Sequence, residues 1–288
     1  LGVADRWKDW EEPRQQGGLR FVAPRLTSAV KSLIAVNVGL FVLLWIGPKF
    51  AGARADAVSG WLVAVFGLFP GDWSAPYLPV WQFLSHGFLH DPGSLSHLFW
   101  NMLLLYFFGT RLEGLLGARR FMTAYMGGML SGALLHCVGY GFGWVADVPV
   151  LGASGAILGV VVACAVFRPN DTVMFFFIPL SLKVLVGCLV LFDLFWAVES
   201  MSDVRTGTAH WVHLGGAAFG FVGARRGWLQ KDLFARFEAR RAIRVEERKQ
   251  EDEGVVDRLL EKISQEGLGS LTEKEKAALK RASGKERL

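Results

Sequence analysis

Six stretches of this chain stay apolar for close to twenty residues, and that feature excludes most folds open to a chain of 288 residues. They run roughly over 29–47, 97–116, 119–141, 150–168, 178–199 and 209–227. A helix needs ~20 mostly apolar residues to cross the ~30 Å hydrocarbon core of a bilayer. Inside that core every backbone polar group has to be satisfied within the segment. The fold class that follows is an all-α integral membrane protein, a six-transmembrane-helix bundle with a long first outer loop over 48–96. Residues 61–70 are apolar but too few to span, and they read as an interfacial element of that loop. Trp61, Trp73, Tyr77 and Trp81 suit the membrane–water boundary.

Charge divides the chain further. Of 31 Lys+Arg and 26 Asp+Glu, 15 basic and 13 acidic residues lie in 229–288 alone. The expected organisation is a cytosolic N-terminal segment (1–28), a membrane domain (29–227) and a charged cytosolic tail (228–288). Six spans put both termini on one side. That side collects Arg25, Lys31, Arg111, Arg119, Arg120, Arg168, Arg225 and Arg226, against Lys49, Arg54 and Arg205 opposite. The excess of positive charge marks the cytoplasmic face, so both termini are expected there, with a bacterial plasma membrane as the default location. Cys137, Cys164 and Cys188 all fall in apolar stretches and suggest no disulfide framework.

The functional argument comes from depth. Spans two, four and six run in the same direction, so polar residues near the start of each lie at one level. His97 and Asn101 stand there in span two, Ser154 in span four, and His210 and His213 in span six. Strongly polar groups within a membrane are costly and usually functional. Ser154 lies in Gly152-Ala153-Ser154-Gly155, and His213 in His213-Leu214-Gly215-Gly216. The small pairs Gly155/Gly159 and Gly216/Gly220 allow spans four and six to approach closely, which would bring hydroxyl and imidazole together. A neutral His can then activate a Ser that is a poor nucleophile alone. His97 and Asn101, four apart, share a helix face and offer donors for an oxyanion. The Ser154 N–H is a third donor. Spans two, four and six carry no Asp or Glu at that depth, so the pair reads as a dyad. Asp193 in span five is the acidic residue in mid-span, and a proton-coupled transporter reading would rest on it. His86, His90 and His97 invite a metal reading, but the loop offers no Cys and only Asp91 as a carboxylate. The expectation is no metal and no cofactor. Glu113 and Arg111 read as a structural polar pair.

These motifs resemble those of the rhomboid family of intramembrane serine proteases over about residues 29–227. Trp81-Gln82-Phe83 with His86 and His90 resembles the start of the family's first-loop motif. His97-xxx-Asn101 resembles its span-two motif, and Gly152-Ala153-Ser154-Gly155 the nucleophile motif. Ala209-His210 with His213-Leu214-Gly215-Gly216 resembles the span-six motif. The resemblance implies Ser154 as nucleophile and favours His213 over His210 as base. It implies His97, Asn101 and the Ser154 amide around the oxyanion, with Gly152 beside them as a substrate-stabilising position. It implies single-span transmembrane proteins as substrates, entering past Phe192 and Trp196 and the stretch 199–208. The partners expected are those substrates and the lipid bilayer, with no nucleic acid. The alternative from another class is a non-catalytic relative that binds or escorts membrane clients.

Two positions depart from the family pattern. Gln82 stands where Arg is usual, which removes a bidentate cation and predicts a first loop held less tightly. Leu158 stands one turn after Ser154 where many members place an aromatic beneath the His. In the tail, Val255, Val256, Leu259, Leu260 and Ile263 follow helical spacing. Gly267 and Gly269 break it, and Thr272 with Glu275 fits a capping box. A two-helix hairpin follows, whose apolar stripe needs either the protein body or a cytosolic partner.

Overall fold

The computed structural model describes residues 24–50, 55–74, 78–175, 178–202, 210–231 and 235–282. They form two compact units that part between Gln230 and Lys231. In the first, α1 (Ser28–Phe50) is followed by α2 (Ala55–Phe66) and the short α3 (Gln82–Ser85) of the long loop. The helix α4 (Leu95–Leu104) continues through a π turn at Leu105–Gly109 into α5 (Thr110–Leu116). Then come α6 (Ala118–Gly141), α7 (Ser154–Phe167), α8 (Leu182–Ser202) and α9 (His210–Arg225).

Each of the six apolar stretches carries helix, but the lengths are unequal. Among the described residues, Ser28–Gly47, Ala118–Gly141 and Leu182–Met201 are long and apolar enough to cross a membrane. With 14 and 16 residues, α7 and α9 are only ~21 and ~24 Å long at 1.5 Å per residue. The expected span over 150–168 is therefore corrected at its start. Residues 150–153 are not helical, because Val150 pairs with Leu68 of the long loop through Leu68 N–H to Val150 O (3.2 Å) and Val150 N–H to Leu68 O (2.9 Å). The expected span over 178–199 is corrected likewise. Its first residues form β2 (Ile178–Ser181), antiparallel to β1 (Thr172–Phe175), with Met174 opposite Pro179. Proline cannot donate to a helical ladder and disfavours helix in the residue before it. Pro179 thus delays α8, and α7 ends at Phe167 shortly before Pro169.

The core is a glycine seam. A methyl group on Gly216 would stand 2.0 Å from the Gly155 carbonyl oxygen, and one on Gly220 2.1 Å from that of Gly159. Gly132 and Gly215 give α6 and α9 the same proximity. In a membrane, where lipid is as apolar as Leu, close backbone contact of this kind drives helix association. α7 lies at the centre, buried from Gly155 to Ala165. Around it Val160, Val161 and Cys164 pack with Leu105, Phe108, Phe121 and Tyr125. The outer helices show apolar side chains outward: Leu43 and Trp45 on α1, Leu191 and Phe195 on α8. Such a surface belongs against lipid, and the protein is an integral membrane protein.

The expected Arg111–Glu113 pair is also corrected. Arg111 pairs with Asp171. Glu113 accepts from Thr27 Oγ1 (2.5 Å), Ser28 Oγ (3.1 Å), and the N–H groups of Ala29 (3.1 Å) and Val30 (3.0 Å). It satisfies the orphan donors at the start of α1, where a carboxylate also suits the helix dipole.

The second unit holds α10 (Ala235–Glu266) and α11 (Glu273–Ala282). Leu259 and Leu271 are buried between them, and Lys262 Nζ reaches both oxygens of Glu275 at 2.9 and 3.1 Å. Thr272 N–H and Oγ1–H donate to Glu275 Oε2 at 2.7 and 2.8 Å, while Glu275 N–H donates to Thr272 Oγ1 at 3.3 Å. That is the reciprocal capping box, and it opens α11.

Candidate active site

Ser154 is the first residue of α7, and the chain reaches it through a backbone that only glycine adopts easily. Gly152 has φ +117, and a Cβ there would stand 2.8 Å from Cε1 and 2.9 Å from Nε2 of His97. Gly152 is therefore fixed twice, by its conformation and by the ring packed on it. Its N–H donates to the His86 carbonyl at 3.0 Å, so what it contributes to the cavity is space rather than a donor. The Ser154 N–H lies in the first turn, which has no intrahelical acceptor, at the positive end of the helix dipole.

The glycine seam then sets the second residue. With Gly216 against Gly155, His213 one turn earlier on α9 comes down on Ser154, and Nε2 lies 2.8 Å from Oγ. From α4, His97 and Asn101 face the same space. Asn101 Nδ2 donates one hydrogen to the His97 carbonyl at 2.9 Å, which leaves its second amide hydrogen for a ligand. His97, Trp100, Asn101, Leu104, Ser154 and His213 line one cavity of ≈ 310 Å³.

Spans two, four and six bring no carboxylate to this depth, but span five does. Asp193 of α8, buried, places Oδ1 2.9 Å from His213 Nδ1 and 2.6 Å from His210 Nδ1. His210 does not face Ser154. Its ring stacks on Trp196 (centroids 6.3 Å apart, 15° between planes) and meets Phe192 edge-on at 6.2 Å. Phe192 and Trp196, the expected entry residues, thus border the site through His210. Of the stretch 199–208, residues 203–208 lie outside the described residues, as do 1–23. Asp193, His210 and His213 also bring their ligand atoms within 4.8 Å of one another, as a cation would require. The N···O separations of 2.6 and 2.9 Å are hydrogen-bond lengths.

The long outer loop braces this arrangement. Gln82 is buried, accepts from Phe69 N–H at 3.2 Å and donates to Ala64 O and Asp72 Oδ2 at 3.4 and 3.3 Å. It ties the loop to itself through bonds at the long end of the range. His86 places Nδ1 2.7 Å from the Gln82 carbonyl, and the His90 ring sits 5.2 Å from that of His97. Burial pushes the pKa values of both His86 and His90 down to about 4. Both rings are therefore neutral near pH 7. Leu158 packs with Val162 and Ala217 against Val186 and Leu189, so an aliphatic layer stands where the family often has a ring.

The Rhomboid domain matches residues 78–228. Residues 243–285 match a second family, described only as a family of unknown function. The chain is 30% identical over 184 residues to Rhomboid protein 1, mitochondrial, of Saccharomyces cerevisiae, a match covering 58% of this chain and 51% of that protein. It is 30% identical over 138 residues to RHOMBOID-like protein 12, mitochondrial, of Arabidopsis thaliana, covering 43% of this chain and 40% of that protein. The chain therefore spans about half the length of these relatives or less. Both are mitochondrial by name, which lends no support to a bacterial plasma membrane. The Rhomboid domain takes in Ser154, His213, His97 and Asn101 and covers more than half of the sequence. This chain belongs to the rhomboid family.

Proposed function

We propose that the protein is an intramembrane serine endopeptidase that cleaves single-span transmembrane proteins. The observation that carries this reading is the 2.8 Å approach of His213 Nε2 to Ser154 Oγ in a cavity that His97 and Asn101 also line. In the reaction, Ser154 Oγ attacks the scissile carbonyl carbon while its proton passes to His213 Nε2. The carbonyl oxygen becomes an oxyanion, met by donors from His97, Asn101 and the Ser154 amide. Removing one such donor typically costs ~10²–10³-fold in rate. The imidazolium then protonates the leaving amine, the C–N bond breaks, and an acyl-enzyme remains. Water, deprotonated by the same imidazole, attacks the ester, and as the C–Oγ bond breaks the imidazolium returns that proton to Ser154 Oγ. Because a helix hides its carbonyls, the substrate segment has to unwind before it reaches Oγ.

The experiment is labelling of the detergent-solubilised full chain with a fluorophosphonate, together with cleavage of a transmembrane segment weakened by Gly or Pro. Wild type labels and cleaves, whereas Ser154→Ala and His213→Ala do neither. A folded wild type that does neither would move the reading to a non-catalytic client-binding protein.

The arginine asymmetry argues that both ends of the membrane unit face the side that keeps positive charge, the cytoplasm in a bacterium. The relatives' names make a mitochondrial membrane the alternative. Protease protection of tagged termini in intact cells and in organelles separates the two.

A further inference from the structure

We propose that Asp193 is a positioning residue of this site, sharing one carboxylate oxygen between His213 and His210 so that the pair works as a triad with a second histidine behind it. This rests on the protease reading above. Asp193 is only 6% exposed, and burying a carboxylate is costly unless it is paired. Its partners are the two imidazoles, at 2.9 and 2.6 Å from the same oxygen. An ionised carboxylate only accepts, so both Nδ1 atoms donate. In a neutral His213 the proton is then on Nδ1 and the lone pair on Nε2, facing Ser154 Oγ. That is the tautomer able to take the serine proton, and Asp193 selects it.

The same contact acts during the reaction. When His213 becomes an imidazolium, its Nδ1–H already points at a negative charge that needs no reorganisation. The groups facing His213 are Asp193 and His210 on one edge, and Ser154 with His97 of α4 on the other. Of these, Asp193 is the one anion. His210 keeps Asp193 in place. Packed against Trp196 and Phe192, which also meet each other, it shares the oxygen that His213 uses and so helps to orient the carboxylate. Leu158, aliphatic where a supporting ring is common, leaves the hydrogen bond to orient the imidazole.

The test uses the full chain in detergent and a cleavable transmembrane segment. Asp193→Asn keeps the shape but can donate to Nδ1, which favours the wrong tautomer. Its kcat is expected to fall by ~10²–10⁴-fold with KM within about two-fold. Asp193→Glu, which keeps the carboxylate, should recover at least about ten-fold of that loss. A far-downfield NMR proton from His213 Nδ1–H is expected in Ser154→Ala and absent from the double variant with Asp193→Asn. Assignment comes from its loss on adding His213→Ala. A kcat for Asp193→Asn within about three-fold of wild type overturns the proposal while leaving the protease reading intact. So does a fall in stability alone, with kcat preserved. Should Asp193→Asn fail to fold, the His213 resonance in Ser154→Ala decides, and its absence overturns the proposal. A wild type that neither cleaves nor labels removes both readings together.

Discussion

Gly216 passes so close to Gly155 that a methyl group on it would lie 2.0 Å from the Gly155 carbonyl oxygen and 2.7 Å from its carbonyl carbon. Both obstacles are backbone, so neither can rotate aside. Gly216→Ala has to part α7 from α9 and with them Ser154 from His213. Overpacking of this kind costs roughly 1–3 kcal/mol or more, and cleavage should fall by at least about ten-fold with a lower melting temperature. Gly187→Ala on α8, where nothing lies within 4 Å, is the control. It should be neutral or gain up to ~1 kcal/mol from helix propensity.

Gly152→Ala tests how His97 is held. The new methyl meets the ring at 2.8 Å at a backbone φ of +117, so the ring must leave its place on the cavity wall. Loss of an aligned oxyanion donor predicts a kcat reduced by ~10²-fold with little change in KM. Asn101→Ala should give a fall of similar size, and steady-state kinetics on one substrate compare the two. Equal kcat in wild type and both variants would remove these residues from the reaction.

Gln82→Ala removes the acceptor of the half-buried Phe69 N–H and a donor to the exposed Asp72 carboxylate. A hydrogen bond of this kind contributes ~0.5–1.5 kcal/mol, and a thermal melt would record the loss as a drop. Gln82→Arg restores the cation usual in the family. It should raise the melting temperature if the guanidinium reaches Asp72, and lower it if the site is built to amide size.

Acid should unfold the outer loop first. His86 and His90 stay neutral down to about pH 4 when folded, while in the unfolded chain they take up protons near pH ~6.5. Between those values the unfolded state binds more protons, so stability falls as pH drops through that window and is insensitive to these groups above it. Each histidine can remove about 3 kcal/mol by about pH 4. His97, beside His90, opposes the charging of that ring further. Melting temperatures at about pH 7, 5.5 and 4.5, with His86→Gln beside wild type, measure the slope. A flat profile would contradict buried neutral rings.

In the tail unit, Thr272→Ala removes one half of the capping box. A lost N-cap costs ~1 kcal/mol, equivalent to amide exchange on the order of five-fold faster across α11. Hydrogen exchange of the full chain reads this directly. The carboxylate of Glu275, which Lys262 and Thr272 hold ionised down to about pH 2, keeps its half of the box through the ordinary acid range.

Much of the site was legible because membrane burial turns polarity into a depth coordinate. Ser154, His213, His97 and Asn101 stood out as costly residues at one level, and Gly155/Gly159 with Gly216/Gly220 stated which helices touch. Asp193 was visible but read apart from them, since nothing in linear spacing says which face of α8 meets α9. Arg111 and Glu113 looked like partners because they are neighbours on a helix. Their real partners, Asp171 and the start of α1, lie some 60 and 85 positions away. The hairpin at 172–181 was hidden inside an apolar run that lipid and sheet burial would both tolerate. The shortness of α7 and α9 escaped for the same reason. Hydropathy records where chain is apolar and is silent on where helix begins.

That shortness acts as a ruler. α7 is ~21 Å long in a hydrocarbon core of ~30 Å, and Ser154 is its first residue. With its far end at one face of that core, α7 would leave the proposed nucleophile ~9 Å short of the other. On the proposed reading a client would lose a bond within its own span, so client selection would depend on where its helix is weak as much as on which side chains flank the bond.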